Sequence, residues 1–277
     1  MGDEIDLEVN KQFPEENNCK ITENSRWKLR SNPYHQQATP RFLERIWYEI
    51  YLSWRFIRSN FPPAVITGAA FAVSAWHVAN ATLWQLPLIL LLGAVNGWLM
   101  LYFFDLINQV VGIEEDRINK PHRPIPAGLC SLEQAERRIP YAAFAYLGFA
   151  IAINATTWAL VWIVTVTAYN YWGLDRHWVT KTLFTCIGAL LCAPIWIFVN
   201  GSIDSIAQTW LISVFVYWII CSVLQDLRDL AGDRSRNRRT LPMVIGDRAS
   251  RYIAAVVLML QPAFSLYHWP CGANLLY

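Results

Sequence analysis

The feature that most restricts this chain is where its charges are missing. No Asp, Glu, Lys or Arg occurs between Ser59 and Phe104, between Ile139 and Leu174, between Thr182 and Ile203, between Ser205 and Gln225, or after Arg251. A helix that crosses a bilayer needs about 20 mostly apolar residues. The first two stretches each accommodate two such helices and the other three one each, about seven in all. A soluble chain of 277 residues could bury a full core, but it would intersperse its charges. Here 55% of residues are hydrophobic and only 16% charged, and the charges collect in a few segments. The fold class that follows is all-α, a polytopic transmembrane helical bundle. The pattern predicts spans at roughly 61–80, 84–108, 139–154, 156–172, 182–199, 206–225 and 252–268.

The N-terminal segment "MGDEIDLEVNKQFPEENN" is acidic and polar. It lacks the basic and apolar regions of a secretory signal. Residues 1–40 read as a disordered cytosolic tail and 41–277 as the transmembrane helical domain. Residues 41–59 mix aromatics with Arg41, Arg45, Arg55 and Arg58, which predicts an amphipathic helix lying in the membrane interface. The six cysteines show no CxxC spacing and read as reduced packing residues. A net charge of +2 gives no reason to expect nucleic acid as a partner, and no protein partner is legible.

Counting spans places the N-terminus and the segments 109–138, 173–181 and 226–251 on one side. Those segments hold nearly all the basic residues, so the positive-inside rule makes that side cytosolic. In a eukaryotic cell the expected membrane is the endoplasmic reticulum.

The two longest of these segments resemble each other. "DRINKPHRPIP" begins at Asp116 and "DRSRNRRTLP" at Asp233. Each opens on Asp-Arg, continues basic and closes on Arg-x-x-Pro. Such a weak repeat suggests two related helical halves facing a common site. Ser131, followed by Gln134, is a plausible N-cap for the third span.

Each loop carries an acid cluster. In "LQDLRDLAGDRSRNRRTLP", Asp226, Asp229 and Asp233 fall at i, i+3 and i+7, one face of a helix over two turns. Three carboxylates in a stripe repel one another unless a cation lies between them. Hard oxygen donors suit Mg²⁺, which takes one or two carboxylates together with substrate phosphate oxygens. Read alone, the stripe is equally a solvated helix end with local ion pairs. In the first cluster Asp105, Asn108 and Asp116 share a stripe if the helix continues past Gly112, with Glu115 close to that face, while Glu114 points elsewhere. Its alternative is a charged interfacial loop. Taken together, acids for Mg²⁺ and basic residues for phosphate oxygens describe a diphosphate site. The expected metal ligands are Asn108, Glu115, Asp116, Asp226, Asp229 and Asp233. The expected diphosphate contacts are Arg117, Lys120, Arg123, Arg176, Arg234 and Arg239. The apolar spans beside them imply a ligand whose other half is hydrocarbon, as in an isoprenyl diphosphate, with membrane lipid around it.

On these residues both loops resemble those of the UbiA family of intramembrane prenyltransferases. That family pairs an NDxxDxxxD motif with a DxxxD-type motif. Asn108 and Asp116 match the first and last positions of the former; Asp229 and Asp233 give the spacing of the latter. Gln109 and Gly112 stand where the family has Asp. Tyr171 or Trp172 with Arg176 is the nearest approach to its Tyr-x-x-x-Lys element. The resemblance covers most of 43–268 and implies an all-helical bundle with a Mg²⁺-diphosphate site over a lipid-open cavity. The family has about nine spans, so the last two helices are expected to be missing here.

The altered first motif resembles the family's fungal terpene-cyclase branch. That implies a Mg²⁺-dependent cyclase ionising farnesyl diphosphate to a sesquiterpene. The first alternative is a prenyltransferase with an aromatic or lipid acceptor. A non-catalytic transporter or scaffold is a lesser one, since the spans lack the charges transport pathways often carry. Trp98, Tyr102, Phe103, Tyr217 and Trp218 are the aromatic residues expected nearest the reacting cation.

Overall fold

The structure is a computed structural model describing residues 42–188, 192–235 and 238–268. The tail expected over 1–40 and the chain beyond His268 lie outside the described residues. Eleven helices occur among the described residues: α1 Phe42–Ile57, α2 Phe61–Val78, α3 Leu86–Val111, α4 Ile113–Asn119, α5 Leu132–Ala152, α6 Thr156–Tyr171, α7 Trp178–Ile187, α8 Ala193–Asn200, α9 Ser205–Ser235, α10 Leu241–Ile245 and α11 Asp247–His268. No strand occurs among them, only a backbone bridge between His177 and Arg239. The all-helical expectation holds.

The helix starts follow local chemistry. Proline stands in the first turn of α2, α3, α8 and α10, where its missing N–H costs nothing. Ser131 caps α5 as expected: its hydroxyl accepts from Gln134 N–H while the Gln134 side chain reaches back to the Ser131 N–H.

Two segments are long and apolar enough to cross a membrane by length and composition, Leu83–Val111 and Ser205–Leu230; Ala64–Val78 is a shorter apolar helix. No other helix among the described residues meets that test. α6 has 16 residues, a rise of about 24 Å. α5 opens on Glu133, Glu136, Arg137 and Arg138. The single span expected at 182–199 is divided between α7 and α8, and residues 189–191 lie outside the description.

The two long helices organise the rest. α3 packs against α1, α2, α5, α6 and α8, while α9 packs against α4, α7, α10 and α11. The largest buried apolar cluster, including Phe56, Phe103, Leu106, Tyr146 and Trp162, is built around α3. A second joins Phe71 of α2, Trp196 of α8 and Val214 of α9. α1 presents Leu52, Phe56 and Ile57 to the interior and leaves Phe42, Leu43, Trp47 and Tyr51 exposed. That division fits the interfacial helix expected over 41–59.

Candidate diphosphate site

The site forms where α3 and α9 end. α3 stops at Val111; Gly112 redirects the chain (φ −94°, ψ 14°) into α4. α4 then crosses α9 at Gly232. A Cβ on Gly232 would lie 2.1 Å from Asn119 Nδ2 and 2.7 Å from Glu115 Cγ, so only glycine permits this approach. Asn119 fastens the crossing, donating to the Asp229 carbonyl at 3.1 Å and accepting from Gly232 N–H at 3.2 Å.

α9 runs ten residues past its predicted end at 225, to Ser235, and those residues carry the acid stripe. Asp226, Asp229 and Asp233 are all buried. The reading of that stripe as a solvated helix end is therefore excluded. In the first cluster Glu115 and Asp116 are buried. Glu114 is exposed and pairs with Arg117 at 2.6 Å, pointing elsewhere as its helical phase required.

The two clusters meet. Lys120 from the first loop donates to Asp229 Oδ2 at 2.8 Å. Arg238 from the second donates to Glu115 Oε2 at 2.5 Å and to Asp233 Oδ1 at 3.0 Å. Arg123 Nη1 donates to both oxygens of Asp116, at 2.8 and 2.9 Å. Lys181 Nζ lies 2.6 Å from Asp226 and 3.4 Å from Asp233, one ammonium shared by carboxylates two turns apart. Asn108 Nδ2 donates to Asn170 Oδ1 at 3.3 Å, which ties α3 to α6.

Of the expected diphosphate contacts, Lys120 and Arg123 are buried among the acids. Arg117, Arg176, Arg234 and Arg239 are exposed. The cations that complete the cluster are instead Lys181 and Arg238, together with the acid Asp175, and the sequence had singled out none of them for the site. Gly173 adopts φ 70°, a left-handed conformation that glycine tolerates. The short 3₁₀ turn that follows, Leu174–Arg176, buries Asp175 and exposes Arg176. Arg239 N–H donates to the Arg176 carbonyl at 2.7 Å and Trp178 N–H to the Arg239 carbonyl at 2.9 Å. That bridge fixes Arg238 inward, where its guanidinium Nε donates to Asp175 Oδ2 at 3.0 Å.

Burial raises the Asp116 carboxyl from its ordinary value, with the Arg123 guanidinium pulling the other way. Burial acts to lower Arg238, but Glu115 and Asp175 outweigh it and hold its guanidinium above the usual value.

No three His, Cys, Asp or Glu side chains converge on one point among the described residues. Each motif carboxylate is held by an ammonium or guanidinium. The donor set nevertheless fits Mg²⁺. Seven buried carboxylates (Asp105, Glu115, Asp116, Asp175, Asp226, Asp229 and Asp233) face three buried cations, Lys120, Arg123 and Arg238, and the half-buried Lys181. This leaves an excess of hard anionic oxygen. Mg²⁺ needs only one or two of them when phosphate oxygens supply the rest.

Gln109 explains one departure from the family motif. It is fully buried and its Nε2 donates to the Phe56 carbonyl at 2.9 Å. It therefore faces α1, and a carboxylate there would meet a carbonyl oxygen.

Two of the five expected aromatics face away from the acids. Trp98 packs on Trp54 and Phe61, and Tyr102 on Phe56, so both face α1. The aromatic group next to the acids is Phe104, Trp162, Tyr169 and Phe184. Tyr169 and Phe184 stack at 3.7 Å, and Phe184 lies 5.4 Å from Phe104 and 5.6 Å from Trp162. Phe104 stands one turn before Asn108, and Tyr169 adjoins Asn170.

The paired acid-and-base loops thus meet at the ends of the two long apolar helices, α3 and α9. The UbiA prenyltransferase family model matches residues 61–277. The chain belongs to that family of integral membrane proteins. It is 36% identical over 239 residues to diterpene cyclase eriG of Hericium erinaceus, covering 80% of this chain and 74% of that protein. It is 33% identical over 225 residues to polyprenyl transferase eriF of the same organism, covering 78% and 75%. Its fold is similar to a UbiA homologue from Archaeoglobus fulgidus bound to GPP and Mg²⁺, with a TM-score of 0.61 and 16% identity, over 78% of this chain and 77% of that one.

Proposed function

We propose that the chain is a Mg²⁺-dependent membrane terpene cyclase that ionises farnesyl diphosphate and closes the allylic cation to a sesquiterpene. The observation that carries this reading is the junction of the two acid loops, through Lys120 with Asp229 and Arg238 with Glu115. A diphosphate lodged at that junction is within reach of basic side chains from both halves. Asn108, Glu115, Asp116, Asp226, Asp229 and Asp233 would hold the metal. When bound, Mg²⁺ neutralises charge on the diphosphate as it leaves.

The chain's own groups do the remainder. Lys120 and Lys181 exchange carboxylate for phosphate oxygen as the anion arrives. The exposed Arg117, Arg176, Arg234 and Arg239 raise its local concentration at the mouth. The packed apolar ends of α3, α6 and α7 keep water from the cation, and Phe104, Trp162, Tyr169 and Phe184 offer it π-faces. The spans at 61–80, 139–154, 156–172, 182–199 and 252–268 are taken to join the two long ones in the bilayer. The acid loops then face the cytosol, in the endoplasmic reticulum of a eukaryotic cell.

A second reading is favoured by the similarity to a polyprenyl transferase, which nearly equals that to the cyclase. In it the same cation is captured by an aromatic or lipid acceptor. Membranes containing the chain, given C10, C15 and C20 isoprenyl diphosphates with Mg²⁺ and no acceptor, distinguish the two. Release of diphosphate with a volatile cyclic hydrocarbon, greatest for C15, supports the cyclase. Product formed only after an acceptor is added supports the transferase. No diphosphate release under either condition rejects both.

A further inference from the structure

We propose that Asp105 and Asp175, which lie outside the two acid motifs, are positioning residues: each anchors the arginine that neutralises a motif carboxylate and retains that arginine when the carboxylate takes a cation. The inference rests on the metal-binding part of the reading above.

The same arrangement occurs once in each half. In the first, Arg123 Nη1 holds Asp116, while Nη2 lies 3.9 Å from Asp105 Oδ1. Asp105 is fully buried. Its Oδ1 already accepts from Asn60 at 2.7 Å, and its Oδ2 has no hydrogen-bond partner among the described residues. A shift of about 1 Å brings the guanidinium within hydrogen-bond distance of Asp105. In the second half, Arg238 Nη1 holds Glu115 and Asp233 while Nε donates to Asp175. Arg123 and Arg238 are 4% and 6% exposed.

An arginine in such a place cannot shed its proton. If its only carboxylate went to a metal, a buried, unpaired charge would remain, and that is strongly unfavourable. With a second acid behind it, the arginine pivots and stays paired, and the motif carboxylate is freed. Without that acid the arginine stays on the motif carboxylate and competes with the metal. Removing either anchor should therefore weaken cation binding.

The test uses the purified full-length chain in nanodiscs, with inorganic diphosphate present and Mn²⁺ titrated as a spin probe by electron paramagnetic resonance. Asp105→Asn and Asp175→Asn each raise the Mn²⁺ dissociation constant about tenfold. The effect acts through the arginine, so Asp175→Asn adds nothing in an Arg238→Gln background, nor Asp105→Asn in an Arg123→Gln background. Asp175→Glu and Asp105→Glu recover most of the affinity and serve where the Asn variants do not fold. Unchanged Mn²⁺ binding overturns the proposal. So does equal weakening with and without the arginine, which would reduce the acids to bulk negative charge, and so does the absence of Mn²⁺ binding by the wild type. Failure to release diphosphate from any isoprenyl diphosphate, with the Mn²⁺ results as expected, rejects the cyclase and transferase readings and leaves this one standing.

Discussion

Gly232→Ala is the smallest change that should disable the site without touching a charge. The new methyl carbon would sit 2.1 Å from Asn119 Nδ2, 2.7 Å from Asn119 Cγ and 2.7 Å from Glu115 Cγ. Rotating Asn119 aside breaks its hydrogen bonds to the Asp229 carbonyl and the Gly232 N–H, at about 1 kcal/mol each. Glu115 cannot follow freely, because Arg238 holds it, and the residual overpacking costs about 1–3 kcal/mol. The local cost is therefore roughly 3–5 kcal/mol, which α4 relieves by moving about 1 Å from α9. A misplacement of that size costs about 100-fold in rate. Diphosphate release, normalised to membrane-inserted protein, should fall accordingly, and limited proteolysis should open the chain near 112–120. Adding Asn119→Ala removes the tightest contact and should restore part of the activity. Wild-type turnover and an unchanged digest for Gly232→Ala would refute the claim that this crossing positions the acids.

Three further outcomes follow from the same geometry. Asp229→Asn should cut turnover by about 100-fold or more with normal membrane insertion, since Asp229 links Lys120 to α9; retained turnover would remove it from the metal set. Lys181→Gln leaves Asp226 and Asp233 buried without their shared ammonium, which destabilises the metal-free protein by about 3 kcal/mol. Mg²⁺ should then raise the melting temperature of this variant more than that of the wild type, and an equal rise would show that Lys181 does not stand where a cation binds. Tyr169→Leu or Phe184→Leu should keep diphosphate release but shift the hydrocarbons towards acyclic or early-quenched products by gas chromatography; an unaltered profile would place the aromatic group away from the cation.

What the sequence made legible was whatever a helical period fixes. The stripe of Asp226, Asp229 and Asp233, the outward turn of Glu114 and the Ser131 cap each depend on residues within two turns of one another, so spacing alone located them. The partners of those acids were hidden because the chain passes through non-helical joints before reaching them. After Gly173 turns left-handed no period carries forward, and Arg176 drew attention while Asp175 faces the site. At Arg238 and Arg239, neighbouring side chains of an extended backbone point to opposite sides. The His177–Arg239 bridge turns Arg239 out and Arg238 in, a choice set by a segment some sixty residues earlier in the chain. Gln109 misled for a related reason. Aligned on a motif it counts as a lost metal ligand, yet its amide holds the end of α1. Glu115, by contrast, reaches the second loop through Arg238. In this chain the α3 face at Gln109 packs on α1, and Glu115 lies on α4, which packs on α9. On the proposed function, the Gly232 crossing, rather than the motif spacing, decides whether the two halves act on one diphosphate.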